Sequence, residues 1–422
     1  MGFSRMQLAW TIAAGSAMAI ACSAIVGVED VTLARSKDAA QPEDDGEVVD
    51  DVRVTDAQTA KEASVQLAVG FIHTCARKTQ GQVLCWGDNG AGQVGDGIAF
   101  DAGARPSVVK PQQVVGMTDA IDVASGGSHS CAIRKNGTVA CWGVNTFGQL
   151  GDGTTTRSST PVPVGNVAGA IAIAAGTSFT CALLQGGLVK CWGANYSGQL
   201  GDGTKNDRST AAPVQQLTGA KAIATAEHHA CAIVDDGLVK CWGKNDNGQL
   251  GTGNTAESLF PTALPSLAEI VQVVAASRFT CSLQRSGQVN CWGANTLGQL
   301  GTGSPNAAPN PSPAITAVSD AIAIWVGYEH ACAVRRSGAV SCWGQAGDGQ
   351  IGSGTVPDDA SIPSPTAVVG VTGALAVGTG GTHSCATTAS GAVFCWGAGS
   401  LGQLGNGDTQ RAYAAVPVIG FP

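Results

Sequence analysis

Short apolar runs alternate with glycine-rich polar segments along most of this chain, and the pattern repeats about every fifty residues. The third copy shows four such runs, at residues 161–164, 170–174, 180–183 and 188–192. Each run is short and is followed by glycine or polar turn residues, which is typical of β-strands. The repeats contain no apolar run of helical period that is long enough for a helix. The pattern therefore predicts an all-β fold made of four-stranded units.

Seven copies of this unit occupy residues 63–422. In every copy a second cysteine comes ten positions after the first, and Trp-Gly follows it directly. Four short strands in a fifty-residue unit are typical of one blade of a β-propeller. We therefore predict a seven-bladed propeller of four-stranded blades.

The two ends of the repeat region suggest how the ring closes. Residues 64–69 match the second run of the other copies, whereas residues 415–421 match an opening run that no repeat follows. A blade built from both chain ends would leave no open sheet edge. We therefore expect the N- and C-terminal strands to pair and close the propeller.

The cysteine spacing fits a disulfide across each hairpin. In the second copy, a three-residue loop with Gly137 in the left-handed region makes Cys131 face Cys141, with Ile133 and Val139 on the same side. The cysteines then form a non-hydrogen-bonded pair with Cα atoms about 4.5 Å apart, which a disulfide can span. The same count predicts one disulfide per blade: Cys75 with Cys85, Cys131 with Cys141, Cys181 with Cys191, Cys231 with Cys241, Cys281 with Cys291, Cys332 with Cys342, and Cys385 with Cys395.

Two alternatives to disulfides are metal binding and free thiols. Zinc sites favour two to four residues between paired cysteines and need a second pair or histidines nearby. Here nine residues intervene, and the pairs are spread around a ring. Free thiols would fit a cytosolic protein, whereas an exported one favours disulfides. We expect no metal site and no cofactor.

Residues 1–21 are typical of an export signal. Arg5 precedes an apolar stretch of about sixteen residues, which is short for a membrane span. The stretch ends at Cys22, in a sequence that resembles a bacterial lipobox except that Ala19 replaces the usual leucine. Cys22 is also the one cysteine left over from the seven pairs. We predict a lipoprotein signal with lipidation at Cys22; the alternative is an ordinary signal in which Cys22 is incidental.

Residues 22–62 predict an acidic, flexible linker. Between Glu29 and Glu62 there are eleven acidic and four basic residues, with no aromatic residue and no sustained period. Calcium binding is an alternative, but the spacing of a known calcium loop is missing from its candidate ligands, which are Glu43, Asp44, Asp45, Asp50 and Asp51. By analogy with enteric lipoproteins, Ser23 favours the outer membrane, so we expect an anchor there or at the cell surface of a bacterium.

The repeat region itself is nearly neutral, with 18 basic and 20 acidic residues. Proteins that bind nucleic acid without sequence preference need a basic surface. We therefore expect a monomer that binds no nucleic acid and contacts a membrane through its lipid anchor only.

The string CWGxNxxGQLGDG, preceded by GxxHxCAL, resembles the regulator-of-chromosome-condensation repeat family over residues 63–422. Val94 and Ile351 replace the leucine of Gly-Gln-Leu-Gly in two copies. The resemblance implies a seven-bladed propeller. Family members include a nuclear exchange factor for a small GTPase, light sensors, parts of ubiquitin ligases and a secreted bacterial inhibitor of β-lactamases. The export signal, the cysteine pairs and the neutral body here disfavour guanine nucleotide exchange.

The histidines are candidate catalytic residues. Five of the six histidines lie two positions before the first cysteine of a repeat: His73, His129, His229, His330 and His383. Phe179 and Phe279 occupy that position in the other copies, which indicates packing. The off-pattern His228, with Glu227 and His229, forms a weak candidate cluster without a nucleophile. We therefore predict no catalytic residues and no enzyme activity.

The loops that follow each Gly-x-Gly vary in length and chemistry, and rigid scaffolds commonly bind partners through such loops. The candidate contact residues are Phe100, Arg105, Arg157, Arg208, Leu259 and Phe260; the alternative is that these loops are only solvated connections. We predict a non-enzymatic surface lipoprotein whose propeller binds a protein or a surface polymer. The alternative function is inhibition of an extracellular enzyme such as a β-lactamase.

Overall fold

The chain folds into a ring of seven antiparallel β-sheets, or blades, in a computed structural model. The structure describes residues 65–100, 105–264, 267, 269–306, 315, 317–355 and 360–422. The predicted signal (1–21), the predicted linker (22–62) and Cys22 lie outside these residues. The predicted seven-bladed, all-β propeller is confirmed.

Each blade is formed by consecutive strands, and each sheet follows their order in the chain. Blades 1 and 2 contain β1 (Gln66–Val69), β2 (His73–Arg77), β3 (Val83–Gly87) and β4 (Val108–Gln113), then β5 (Ala120–Ser125), β6 (His129–Arg134), β7 (Val139–Gly143) and β8 (Ser158–Pro163). Blades 3 and 4 contain β9 (Ala170–Ala175), β10 (Phe179–Leu184), β11 (Val189–Gly193) and β12 (Arg208–Pro213), then β13 (Ala222–Thr225), β14 (His229–Ile233), β15 (Val239–Gly243) and β16 (Ser258–Ala263).

The remaining blades follow the same plan. Blade 5 contains β17 (Ile270–Ala275), β18 (Phe279–Gln284) and β19 (Val289–Gly293), and residues 307–314, where its outer strand is expected, lie outside the described part. Blades 6 and 7 contain β20 (Ala321–Val326), β21 (His330–Arg335), β22 (Val340–Gln345) and β23 (Ser361–Ala367), then β24 (Ala374–Thr379), β25 (His383–Thr388), β26 (Val393–Gly397) and β27 (Ala412–Pro417). A 3-10 helix, Asp235–Gly237, forms the hairpin turn of blade 4.

The first strand of each blade lies innermost. These seven strands contact one another in sequence around the ring, and β24 contacts β1 to complete it. They therefore surround a central channel. The second and third strands of each blade carry the buried core, and the fourth forms the outer edge, where most side chains are partly exposed.

The cysteine hairpins have the predicted register. Cys131 lies opposite Cys141 and Ile133 opposite Val139, and all four side chains are buried. All seven predicted disulfides are present, with Cα atoms 4.0–4.1 Å apart, slightly closer than expected. Gly143, which follows Trp142, has φ +107°, and a Cβ there would lie 2.5 Å from the carbonyl oxygen of Ser128. The Trp-Gly step is therefore fixed by backbone packing.

The predicted closure by pairing of the N- and C-terminal strands is wrong. The C-terminal strand β27 pairs with β26 inside blade 7, with Cys395 opposite Val416, and β1 is the inner strand of blade 1. The physical reason is that the strand after each glycine-rich loop returns to the outer edge of the blade that the chain has just left. Every blade is thus complete in sequence, and blades 7 and 1 meet face to face. The C-terminal Phe421 packs against Trp86 of blade 1, with ring centroids 6.0 Å apart.

The contact between two consecutive blades, here called a junction, uses one set of hydrogen bonds seven times. The tryptophan of one blade donates its indole N–H to the main-chain oxygen of the Gly-Gln-Leu-Gly glutamine in the preceding blade, at 2.9–3.0 Å. At the 2/3 junction, for example, Trp192 donates to Gln149. The 7/1 junction has the same bond, from Trp86 to Gln403, so ring closure repeats the other contacts.

Five junctions add a buried histidine. At the 2/3 junction, Nε2 of His129 lies 2.9 Å from the hydroxyl of Thr180, which itself donates to the oxygen of Gln149. Because a hydroxyl has one proton, Nε2 of the histidine must be the donor. The other four pairs have the same geometry: His73 with Ser130, His229 with Thr280, His330 with Ser384, and His383 with Thr74.

The other two junctions replace both partners at once. Phe179 of blade 3 stands where a histidine would be, and Ala230 of blade 4 stands where its hydroxyl partner would be. Phe279 and Ala331 make the same exchange at the 5/6 junction. All four side chains are buried, and each pair shares one hydrophobic cluster. At these two positions a junction therefore has either a hydrogen-bonded pair or an apolar pair, and no described junction mixes the two.

Candidate binding face at the mouth of the channel

One side of the propeller carries both the turns between first and second strands and the loops between third and outer strands. This follows from the antiparallel order of every sheet, which brings these connections to the same end of the blades. We call this side the mouth face. Its seven inner turns surround the channel opening, and they are residues 70–72, 126–128, 176–178, 226–228, 276–278, 327–329 and 380–382.

Main-chain hydrogen bonds link neighbouring inner turns at 3.0–3.2 Å. They run from the N–H of Phe71 to Gly126, Gly127 to Thr177, Thr177 to Ala226, Tyr328 to Gly380, and Gly381 to Phe71. The turns pack so closely that a Cβ on Gly126 would lie 2.2 Å from the oxygen of Gly176. These bonds join five of the seven neighbouring pairs of inner turns, all except the pairs of blades 4 and 5 and of blades 5 and 6.

Inside the rim lies a cavity of about 100 Å³, here called the channel cavity. Its wall contains the last residue of each inner strand, a ring made of Val69, Ser125, Ala175, Thr225, Ala275, Val326 and Thr379. Its rim includes Phe71, Glu227, Ser277 and Tyr328 from the inner turns. A cavity that opens to the surface between rigid turns is a typical place for a ligand.

A chain of hydrogen bonds crosses three blades at this rim. In the neutral imidazole, the Tyr196 hydroxyl donates to Nδ1 of His228 at 2.7 Å, and Nε2–H of His228 donates to Glu227 at 3.1 Å. Ser277 donates to the other Glu227 oxygen at 2.6 Å. We call these four residues the mouth network. They come from the outer loop of blade 3 and the inner turns of blades 4 and 5.

The mouth network keeps Glu227 ionised. The hydrogen bond from His228 is the main cause that lowers the pKa of Glu227 to about 2, and the hydroxyls of Ser277 and Tyr328 add to it against the effect of burial. Burial, together with the charge of Glu227, raises the pKa of Tyr196, so its phenol stays protonated. The network therefore holds the Glu227 carboxylate in a fixed place.

A second carboxylate, Glu329, lies in the next-but-one turn. Burial raises the pKa of Glu329, while Arg278 acts in the opposite direction. Gln299 donates to its side chain at 2.7 Å. The side chain of Glu329 is thus held by an amide, whereas Arg278 of the neighbouring turn is exposed.

Aromatic rings cover part of the rim. Phe71 and Tyr328 meet edge to face with centroids 5.2 Å apart, although their turns are separated by the turn of blade 7. The contact is possible because Gly381 has no side chain: a Cβ there would lie 2.8 Å from the Phe71 ring. Phe71 is 39% exposed and Tyr196 is 48% exposed. Such exposed aromatic residues on a rigid rim are typical anchors for a partner.

The loop residues predicted as contacts lie on the outer rim of the same face, near the ends of the outer strands. Phe100 lies between two guanidinium groups, 4.0 Å from that of Arg157 and 4.9 Å from that of Arg105. Arg105 pairs with Asp96, and Arg208 with Asp202. These arginines therefore fix their own loops.

The other two predicted contacts behave differently from each other. Leu259 is partly buried against Gly198, whereas the neighbouring Phe260 is 37% exposed beside Gly203. Phe260 is thus the predicted residue of this pair that presents more apolar surface to a partner.

The structure separates the three residues of the weak catalytic cluster. His229 is buried and bonds to Thr280, as in the other polar junctions, whereas His228 and Glu227 belong to the mouth network. Burial lowers the pKa of His229 to about 3, so it is neutral. Its interpretation as a packing residue therefore agrees with its surroundings.

No group of three or more His, Cys, Asp or Glu residues that could hold a metal ion occurs within the described ranges. None of the helices described is long and apolar enough to cross a membrane.

Sequence reasoning missed Phe71, Tyr196, Ser277 and Tyr328. A signal was available: glycine or threonine fills the middle position of the inner turn in blades 2, 3 and 7, and Phe71, Glu227 and Tyr328 depart from this. Tyr196 lies in a loop of another blade, and its contact with His228 cannot be predicted from the spacing of residues in the sequence.

Comparisons with known proteins agree with the fold. Residues 12–281 match the family model of the RCC1-like domain. Models of the regulator of chromosome condensation (RCC1) repeat match residues 286–334 and 390–419, and a second such model matches residues 270–299, 321–350 and 375–403.

Curated relatives share only a short segment. The probable E3 ubiquitin-protein ligase HERC4 of Rattus norvegicus is 39% identical over 87 residues, which are 21% of this chain and 8% of that protein. The probable E3 ubiquitin-protein ligase HERC6 of Homo sapiens is 36% identical over 104 residues, which are 24% of this chain and 10% of that protein. The chain thus spans a tenth or less of the length of these relatives.

Two solved structures share the fold. Human WBSCR16 superposes with a TM-score of 0.70 and 21% identity, covering 80% of this chain and 94% of that one. Prp20p from Saccharomyces cerevisiae, described with its binding to Gsp1p and histones, gives a TM-score of 0.70 and 19% identity, covering 86% and 89%. At these identities the likeness concerns the fold alone.

Proposed function

The chain belongs to the family of RCC1-like domains, and from this premise we propose that it is a non-enzymatic scaffold that binds a protein partner through its mouth face. The observation that carries the proposal is the exposed aromatic surface of Phe71 and Tyr196 around a rigid, hydrogen-bonded rim. Rigid aromatic anchors lose little conformational entropy on binding and are common in the centre of interfaces. Phe147 and Phe260 extend this surface outward, and both are 37% exposed.

A non-enzymatic role is supported by the chemistry of the rim. A hydroxyl nucleophile needs a neighbouring base that can take its proton. Ser277 donates to Glu227, but the pKa of that carboxylate is lowered to about 2, so it is a poor acceptor for the serine proton. Tyr196 donates to His228, but burial raises the pKa of its phenol, which disfavours loss of that proton. In the described part of the chain, every cysteine is in a disulfide.

An extracytoplasmic location is part of the proposal. Seven disulfides form and persist in oxidising compartments and are rare in the cytosol. The apolar segment before Cys22 supports export with lipidation at that residue, in the outer membrane or on the cell surface. Cys22→Ser should release the protein from washed membranes into the soluble fraction, measured by immunoblot. Retention of that variant in the membranes would contradict the lipid anchor.

The partner can be identified by affinity capture with the full-length protein from extracytoplasmic extract, followed by mass spectrometry. Phe71→Ala should weaken binding of the purified partner by roughly tenfold or more, because a central aromatic anchor contributes about 2 kcal/mol. Leu188→Ala is a matched control: Leu188 is 40% exposed but lies in a hairpin turn on the opposite face.

The proposal fails if Leu188→Ala weakens binding as much as Phe71→Ala, or if neither change affects it. If the captured partner is a secreted hydrolase, its inhibition by the wild-type protein and not by Phe71→Ala would specify the function as enzyme inhibition. Binding without inhibition would leave the scaffold role alone.

A further inference from the structure

The first residue of each inner turn sets how closely the next turn can approach. In five blades this residue is a glycine, and a Cβ on it would lie 2.2–2.6 Å from the carbonyl oxygen of the first residue in the following turn. That distance is far inside the usual separation of non-bonded atoms, so these turns can lie side by side only because the side chain is missing. The five residues are Gly70, Gly126, Gly176, Gly327 and Gly380.

Blades 4 and 5 have an alanine at this position. The Cβ atoms of Ala226 and Ala276 keep the following turn at a greater distance, and these are the two places where the main-chain bond between neighbouring turns is missing. The N–H groups of Glu227 and Ser277 occupy the donor positions of those bonds, but neither donates to a main-chain oxygen of the described residues. The five bonds therefore follow the five glycines, and the two interruptions follow the two alanines.

The inner turn of blade 5, residues 276–278, is affected on both sides. Ala226 separates it from the turn of blade 4, and Ala276 separates it from the turn of blade 6. Among the inner turns, all of which the structure describes, it alone has no main-chain bond to either neighbour. Ser277 still donates to Glu227 of blade 4 at 2.6 Å. A bond between two side chains can follow a small shift of the turn, because both side chains rotate.

The other six inner turns form one linked arc, which runs from blade 6 through blades 7, 1, 2 and 3 to blade 4. Phe71 lies within this arc: its N–H donates to Gly126 at 3.1 Å, and its carbonyl oxygen accepts from Gly381 at 3.0 Å. The turn of blade 5 lies between the two ends of the arc and carries Arg278, which is exposed. The mouth face thus combines a fixed aromatic anchor with a turn that is held less tightly.

We infer that Ala226 and Ala276 leave the inner turn of blade 5 free to shift against its neighbours, so that this turn adapts to the partner while the linked arc stays in place. Segments that adapt on binding are drawn from the parts of a fold that open locally at low cost. The role of the partner rests on the proposed function, whereas the looseness of the turn is a property of the protein alone.

The test is hydrogen exchange of the full-length protein without a partner, resolved to single amides by mass spectrometry. Ala276→Gly should restore the bond from Ser277 to Gly327 and raise the protection factor of the Ser277 amide about tenfold. Ala226→Gly should do the same for the Glu227 amide. Each variant is the matched control for the other, because the amide that it does not address should keep its wild-type protection.

Both glycine variants should fold, since each loses a single methyl group, and thermal melting checks this. Ser277→Ala gives an independent measurement: it removes the bond to Glu227, so the amides of residues 276–278 should exchange about tenfold faster. The inference is overturned if neither glycine variant changes the protection of its amide, or if Ser277 and Glu227 are already as protected as Phe71 in the wild type.

The partner's role has a separate readout. A purified partner whose binding depends on Phe71 should raise the protection of the Ser277 amide in the wild type when it saturates the protein. Unchanged protection there would mean that the turn takes no part in binding, which would overturn the adaptive role. If no partner exists, the exchange results for the free protein still stand, so this inference and the proposed function fail separately.

Discussion

Two kinds of junction hold the same ring together. The 2/3 junction buries a hydrogen bond between His129 and Thr180, whereas the 3/4 junction buries Phe179 against Ala230 at the equivalent positions. Both keep the tryptophan bond to the preceding blade at 2.9 Å. The comparison shows that these two positions can hold either a hydrogen-bonded pair or an apolar pair, provided that both residues change together. In the polar junction the hydrogen bond satisfies Nε2 of His129, whereas its Nδ1 has no partner among the described residues.

Acid should distinguish the two kinds of junction with the largest effect. Burial lowers the pKa of His129 to about 4 and that of the other four junction histidines to about 3, against 6.5 for the free side chain. Below pH 6.5 the unfolded chain therefore binds protons that the folded chain does not. The contribution of these neutral histidines to the free energy of unfolding is fully present above pH 6.5 and is lost as the pH falls towards 3–4. At pH 5.5 each histidine lowers the free energy of unfolding by about 1.4 kcal/mol, which is roughly 7 kcal/mol for five histidines.

Asp122 and Glu329 oppose this trend, because burial raises the pKa of Asp122 to about 6 and that of Glu329 above its usual value, but they are two groups against five. The measurement is the urea midpoint by circular dichroism from pH 8 to pH 4, with the disulfides intact. The variant with both His129→Phe and Thr180→Ala should lose less stability on acidification, by about the share of one histidine. An equal slope in the variant and the wild type would contradict this assignment.

A double-mutant cycle at the 2/3 junction should give a smaller but specific effect. Thr180→Ala leaves the N–H of His129 without its partner, which costs about 2 kcal/mol. His129→Phe places a larger ring against the threonine, which costs about the same through overpacking. The double variant copies the 3/4 junction and should lie within about 1 kcal/mol of the wild type. The coupling energy, from urea unfolding at pH 8, is then about 3–4 kcal/mol.

The tryptophan bonds provide the control for this cycle, because they are common to both kinds of junction. Trp192→Phe and Trp242→Phe remove the indole N–H at the 2/3 and 3/4 junctions, and the two changes should cost similar amounts. Additive losses in the histidine–threonine cycle would mean that the two residues do not act as a pair.

Much of the fold could be predicted because the sequence of each repeat indicates its own strands and turns. The ten-residue spacing of Cys131 and Cys141 determines the hairpin register, and the disulfide follows from that register. The closure could not be predicted in the same way. The repeat shows where strands begin, but not that the strand after a glycine-rich loop returns to the preceding blade, as Val416 does opposite Cys395.

The mouth network was beyond sequence reasoning for a different reason. Tyr196, Glu227 and Ser277 lie in three different blades and meet only because the ring brings their turns together. The arginines, by contrast, are predicted as contacts because they lie in the variable loops after each Gly-x-Gly. In the structure Arg105 and Arg208 are neutralised by nearby aspartates, a pairing that depends on loop conformation and not on spacing.

The two kinds of junction also divide the seven blades into three types. Each blade carries two adjacent residues that face different neighbours: in blade 3, Phe179 faces the following blade and Thr180 the preceding one. By these residues blades 3 and 5 are one type, blades 4 and 6 a second, and blades 1, 2 and 7 a third. Blades 3–4 and 5–6 are thus two copies of the same two-blade module. A graft or duplication that moved one blade of the module alone would set a histidine against alanine or a phenylalanine against a hydroxyl, whereas one that moved the whole module would keep every junction matched.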